Sequence, residues 1–433
     1  MHGSSRGKKG GTSGVASRFL SWLRGPDLNW RPSGYEPDEL PDCSTPRRSE
    51  TILYRALAPP SRGLIALAGC ARGDNAKAPK AVGVREFWRG VPKVQLHCHL
   101  EGTVRAATFL ELGRSAGLDL PADVYAFESF AEFLRAFQKV CRSLASPDAF
   151  ERIAREYALD ARAQGVVYAE VFISPSVWSF FHPSIDEGAC VHAIRRAFDE
   201  VDGIEVALIC DVTRNLGPES ALRTAERAAG WREFGAIGIG LGGDERKFPA
   251  GLFTESFGFA RREGLHVVAH AGEADGAHSV RAAVEELGAE RIGHGIRALE
   301  DPAVVELLVR REIPLEVCPT SNRKTGACPP DRVHPIGELD AAGVLVTLDA
   351  DDPAMFGCSL QGEYELVEAT LGPSAALRFA RNGIVASFAS SERKAALLEA
   401  FDAVAGERPF HAGPHALRRV ERGVSRGDLP ARP

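Results

Sequence analysis

From Phe87 onward, short β-rich apolar runs alternate with stretches of helical spacing. Eight runs, at 94–96, 166–173, 206–211, 236–241, 265–269, 291–292, 313–317 and 344–348, each lead into polar or reactive residues. Between most of them, residues 147–163, 188–198, 255–262, 279–287 and 301–310 carry apolar positions at helical intervals. A short apolar run reads as a buried strand, and a 3.6-residue period as a helix packed over it. Strands that alternate with helices predict a parallel sheet, and eight such repeats predict closure into a barrel. The expected fold is therefore α/β, a (β/α)8 TIM-type barrel with additional helices.

Residues 1–83 break this pattern. They are rich in Gly, Ser, Arg and Pro and keep no sustained period. Such a segment predicts a disordered, loosely attached or mis-assigned extension, with the real start expected near Val82 or Val84. Within it, Leu64-Ile65-Ala66-Leu67-Ala68-Gly69-Cys70 looks like a lipoprotein cleavage box, but it lies far from the N-terminus and its apolar stretch is short. The barrel domain is expected over 84–411, and the Arg- and Pro-rich residues 412–433 read as a tail.

Composition narrows the function classes. The chain has 433 residues, enough for a barrel of about 250 residues with additions. Its net charge of −6 argues against a nucleic-acid-binding surface. No apolar run approaches the roughly 20 residues that cross a bilayer, so no membrane partner is expected. Nine cysteines without a C-x-x-C pair suggest reduced thiols in a cytoplasmic protein. The expected partner is a small-molecule substrate; the oligomeric state is not fixed by the sequence.

Four clusters follow expected strands, at the end of a barrel where enzymes of this architecture place their chemistry. His97 and His99 flank Cys98 at i and i+2 of an extended segment, so their imidazoles share a face and can clasp one metal ion. His270-Ala271-Gly272-Glu273 follows the fifth run, His294 sits between Gly293 and Gly295 after the sixth, and Asp349-Ala350-Asp351-Asp352-Pro353 follows the eighth. Each cluster alone has an ordinary reading: packed histidines, a glutamate at a helix start, or an aspartate turn before proline. Three aspartates in four residues nevertheless require a cation, a proton or strong hydrogen bonds. Together, three histidines and an aspartate at one end of one barrel make a nitrogen-and-oxygen set suited to zinc.

These motifs resemble the adenosine deaminase family, within the wider amidohydrolase barrels. The match covers about residues 87–406 and holds the family order: Leu96-His97-Cys98-His99-Leu100-Glu101-Gly102, Tyr168-Ala169-Glu170, Leu241-Gly242-Gly243-Asp244-Glu245, His270-Ala271-Gly272-Glu273, Gly293-His294-Gly295, Cys318-Pro319-Thr320-Ser321-Asn322 and Asp351-Asp352-Pro353. The resemblance implies one zinc ion held by His97, His99, His270 and Asp351. It implies Glu273 as the general acid toward purine N1, His294 and Asp351 as partners of the attacking water, and Asp352 as a donor to N7. It further implies that His99, Glu101, the Gly243 backbone N–H, Phe133 and Phe137 meet the substrate. The implied reaction is hydrolytic deamination of adenosine or 2'-deoxyadenosine to inosine or 2'-deoxyinosine plus ammonia, in purine salvage. Three departures bear on the substrate: Glu101 for the usual Asp, Asp349-Ala350 for a common Asn-Thr, and Phe172 where nucleoside-specific members often have Arg. Adenine or a modified 6-aminopurine nucleoside such as aminodeoxyfutalosine therefore remains an alternative substrate.

Other classes fit less well. His99-Leu100-Glu101 matches half of a cytidine-deaminase signature whose P-C-x-x-C half is absent. Gly238-Ile239-Gly240-Leu241-Gly242-Gly243 mimics a dinucleotide fingerprint, but Asp244 and Glu245 follow where a pyrophosphate needs positive potential. A two-metal amidohydrolase usually needs a bridging lysine after the fourth strand, and this strand ends in Gly242-Gly243-Asp244-Glu245 instead, which favours one metal. A degenerate, non-catalytic binding barrel predicts loss of a ligand or acid, and none is lost.

Overall fold

The computed structural model describes residues 83–127 and 130–406. The expected extension up to residue 82 and the tail from 412 lie outside the described residues, as does the cleavage-box look-alike.

Eight parallel strands run in sequence order: β1 (Lys93–Gln95), β2 (Val166–Ile173), β3 (Glu205–Thr213), β4 (Ala236–Gly242), β5 (His266–Ala271), β6 (Arg291–His294), β7 (Leu315–Val317) and β8 (Val346–Leu348). The TIM-type barrel is present as expected. β2 is apolar on nearly every residue because it packs on both faces, against the barrel interior and the outer helices. The helix Pro147–Ala163 shows why its boundaries were legible. Ser146 accepts from the Ala149 N–H, Pro147 sits in the first turn, and Phe150, Ile153, Ala154, Tyr157, Ala158 and Ala161 form its buried stripe.

Some boundaries shift for local reasons. β1 stops at Gln95 because the Leu96 and His97 N–H groups donate to the Asp349 carboxylate at 2.6 and 3.0 Å. The stretch 279–287, expected as one helix, is a short helix Ala277–Ala282 followed by a wider turn over Ala283–Leu287. β5 and β6 extend through His270 and His294, so these two histidines lie within strand ends rather than after them.

The seam between β8 and β1 closes just past the C-terminal ends of these strands. Asp351 N–H donates to His97 O at 3.1 Å, and His99 N–H donates to Asp351 O at 3.0 Å. Helix Pro373–Ala386 packs over β8 and β1 and covers that seam. Inside the barrel, Arg291 pairs with Glu170 and Glu316 at 2.6 and 2.5 Å and lies 3.7 Å from the Phe388 ring centroid. The glycine-rich β4 is explained by this interior: a Cβ at Gly240 would sit 2.6 Å from the Phe172 ring and 2.7 Å from an Asp211 oxygen. Among the described residues, no helix is long and apolar enough to cross a membrane. The seven cysteines there are all free thiols.

Candidate active site

The loops and strand ends bring all four expected metal-binding side chains together. One donor atom each from His97, His99, His270 and Asp351 lies within 4.8 Å of the others. Hydrogen bonds around the cluster decide where the lone pairs point. His97 Nδ1 lies 2.8 Å from Glu316 Oε2, which as a carboxylate accepts, so Nδ1 carries the proton. His270 Nδ1 likewise donates to Leu241 O at 3.1 Å. Both rings therefore commit Nδ1 elsewhere and turn Nε2 inward. His97 Nε2 is buried without a hydrogen-bond partner, 3.4 Å from Asp351 Oδ1, and His99 Nε2 faces His270 Nε2 at 3.1 Å. Burial pushes His99 down to about 4 and His270 well below the usual imidazole range, which keeps both neutral and able to ligate. Burial also opposes charge on His97, yet Asp351 and Glu316 on either side hold its pKa well above normal: this point calls for a positive charge. Converging lone pairs beside an anionic carboxylate fit a divalent cation. The structure thus provides a site for a metal ion.

The backbone here is strained as well. His294 and Asp351, neither of them glycine, adopt φ near +61°. Such conformations persist only where the surroundings enforce them, and they cluster at functional sites. Asp351 is braced by the Ser321 hydroxyl at 2.6 Å. His294 is buried, driven down to about 3 mainly by that burial, and accepts from Asn322 Nδ2 at 3.1 Å. Its Nε2 lies 3.5 Å from Glu273 Oε2.

Glu273 stands at the mouth of this cluster, its side chain 20% exposed. Its carboxyl is pushed up to about 8 by burial, then by the negative charges of Asp351 and Glu245, so it is protonated at neutral pH. Asp352 is raised well above the usual carboxylate range, again first by burial and then by Asp351. Its Oδ1 is buried without a partner and blocks any Cβ at Gly102, 1.8 Å away. Gly243 has φ +100°, and a Cβ there would meet Asn215 Oδ1 at 2.5 Å, so only glycine fits.

Glu101 is fully buried. Oε1 accepts from Ser174 N–H at 3.0 Å and Trp178 Nε1 at 2.7 Å, while Oε2 has no partner. Phe133, on helix Phe130–Ser143, stacks on Phe356 at 4.9 Å, with Phe137 at 6.2 Å. With Met355 they form a small apolar cluster, separate from the main core, on the segment that follows Asp352.

Several supporting groups were missed in the sequence. Glu245 accepts from the Gly272, Ala274 and Asp275 N–H groups at 2.5, 2.9 and 2.9 Å, and so shapes the loop around Glu273. Arg214 is buried and donates to His270 O at 2.8 Å and Phe248 O at 2.7 Å. Glu316 orients His97. A glutamate in an apolar strand, Leu315-Glu316-Val317, was the signal available for it, because burying a carboxylate requires partners.

The C-terminal ends of the strands, where this cluster lies, are where enzymes built on such barrels place their chemistry. Comparison with known proteins narrows the class. The family profile described as Adenosine deaminase matches residues 92–404, and the chain belongs to the adenosine deaminase family. It is 36% identical over 323 residues to an adenosine deaminase of Erwinia tasmaniensis, covering 71% of this chain and 97% of that protein. It is 35% identical over 382 residues to an aminodeoxyfutalosine deaminase of Streptomyces coelicolor, covering 84% and 97%. Among solved structures, an adenine deaminase from Arthrobacter aurescens superposes with TM-score 0.68 at 32% identity, covering 72% of this chain and 98% of that one. A zinc-bound amidohydrolase from Burkhoderia ambifaria gives TM-score 0.70 at 28% identity, covering 77% and 96%. The chain is thus a hydrolytic aminohydrolase.

Proposed function

We propose that this protein deaminates a 6-aminopurine nucleoside, adenosine or 2'-deoxyadenosine, with one zinc ion held by His97, His99, His270 and Asp351. The convergence of imidazole nitrogens and a carboxylate beside a protonated glutamic acid carries this reading. A zinc-bound relative of the same fold supports the choice of metal. A bound zinc ion lowers the pKa of water to near 7 and so makes a nucleophile available at neutral pH.

The protein's own groups do the rest. Protonated Glu273 gives its proton to purine N1, which makes C6 electrophilic. His294, neutral and fixed against Asn322, presents Nε2–H toward the same space and stabilises negative charge as it develops on oxygen. Asp351 accepts a hydrogen bond from the incoming water, and protonated Asp352 donates to N7. The Gly243 backbone N–H meets N3. The water oxygen bonds to C6, its two protons end on the departing amino group and on Glu273, and the C6–N bond breaks, leaving a 6-oxopurine and ammonia. Phe133 and Phe137 cover the base, and the free Glu101 Oε2 accepts from a sugar hydroxyl.

Relatives that act on aminodeoxyfutalosine and adenine support keeping those substrates as the second reading. The test is the ultraviolet absorbance change of adenosine, adenine and aminodeoxyfutalosine on zinc-loaded protein. Fast loss of the adenosine signal with adenine inert supports the nucleoside reading and the Glu101 contact. Turnover of adenine alone refutes the sugar contact, and inertness of all three refutes the proposal.

A further inference from the structure

A hydrogen-bond chain enters the site from the loop before helix Ile336–Ala341, and the backbone fixes its direction. The Ile336 N–H, free of an intrahelical partner at the helix start, donates to His334 Nδ1 at 3.2 Å. A backbone amide only donates, so that ring nitrogen bears a lone pair. Burial, and next Arg323, push His334 down to about 4, so the ring is neutral at pH 7 and its one proton sits on Nε2. That nitrogen lies 3.2 Å from Asn322 Oδ1, which accepts. The other end of the same amide, Nδ2, therefore faces His294 Nδ1 at 3.1 Å as a donor. Asn322 is fully buried, and its backbone is pinned by its own N–H to Cys318 O at 2.9 Å and by Cys328 N–H to its O at 2.8 Å. With Nδ1 accepting, neutral His294 has one place left for its proton: Nε2, the nitrogen 3.5 Å from Glu273 and 4.0 Å from Asp351.

We propose that Asn322 and His334 are positioning residues that hold His294 as an N–H donor at Nε2, through a relay whose polarity is set by the Ile336 amide. His294 then stabilises charge and does not serve as a proton acceptor at Nε2, because that position is already filled. Its importance for turnover rests on the proposed function; the tautomer itself does not.

The test uses the full zinc-loaded chain with 15N-labelled histidine. NMR of the unmodified protein is expected to show His294 with an unprotonated Nδ1 and a protonated Nε2. Asn322→Asp keeps the shape but turns an acceptor toward Nδ1, so it is expected to move the His294 proton to Nδ1. It is also expected to lower kcat by about 100- to 10,000-fold, as loss of a correct tautomer does elsewhere, with KM and zinc stoichiometry kept. His334→Ala is expected to lose about tenfold in kcat, and His334→Gln, which still offers an N–H to Asn322, to recover part of it. A protonated Nδ1 in the unmodified protein, or an unchanged tautomer in Asn322→Asp, overturns the relay. Because the tautomer is read without turnover, an inactive but correctly tautomerised protein would count against the proposed function instead.

Discussion

Glu316→Gln tests how the barrel interior prepares a metal ligand. Glu316 bridges two donors in a dry interior: its Oε2 takes His97 Nδ1–H at 2.8 Å and its Oε1 takes Arg291 Nε–H at 2.5 Å. None of the three side chains is more than 1% exposed. Burial alone would raise the Glu316 pKa, but Arg291 and His97 bring it below normal, so the group is an anion. Glutamine offers one acceptor where two donors need one. If its oxygen stays with Arg291, its NH2 faces His97 Nδ1 and drives the ring proton to Nε2, the nitrogen that must bind metal. If its oxygen turns to His97, the Arg291 N–H is left unpaired, which costs about 1–3 kcal/mol. Losing such a carboxylate behind a metal histidine typically costs 10- to 100-fold in metal affinity, about 1.4–2.8 kcal/mol. The assay is competition for zinc against a chelator of known affinity at fixed pH, beside thermal unfolding. A variant that keeps both zinc affinity and stability would refute the reasoning.

Four further outcomes are expected. Glu273→Gln should keep zinc but lower kcat by roughly 100-fold or more, read by metal analysis and steady-state turnover. If Glu273 acts as the acid, its pKa of about 8 in the unliganded protein means that kcat/KM should be level below that pH and fall as pH rises through it; a profile that rises there contradicts the assignment. Glu245→Gln leaves one oxygen for three amides and should cost about tenfold or more in kcat, yet cost nothing further when Glu273 is already Gln, in a double-mutant cycle. Arg291→Met strands the Glu170 and Glu316 carboxylates in the interior and should destabilise the fold by about 3–5 kcal/mol, measured by denaturant unfolding.

The barrel was legible because each strand is a short apolar run and each outer helix carries one apolar stripe, so β2 and the helix after Ser146 could be bounded from sequence. The candidate metal-binding cluster was legible because His97, His99, His270 and Asp351 interrupt that apolar pattern at strand ends. The supporting groups were not. Glu245, Glu316, Arg214 and His334 act through partners between 12 and 219 residues away, and no local period records such pairings. Asp349 shows the difference most clearly. In sequence it is one of three crowded aspartates. In the fold it caps the Leu96 and His97 amides and ends β1, with its pKa raised to about 7 by burial.

The most direct test of metal-dependent deamination is a zinc titration of metal-stripped protein, read by adenosine turnover. The account predicts no turnover without metal, a linear rise as zinc is added, and a plateau at one equivalent per chain. Turnover in the stripped protein, or one tightly bound zinc per chain with no deamination of any 6-aminopurine offered, would contradict it.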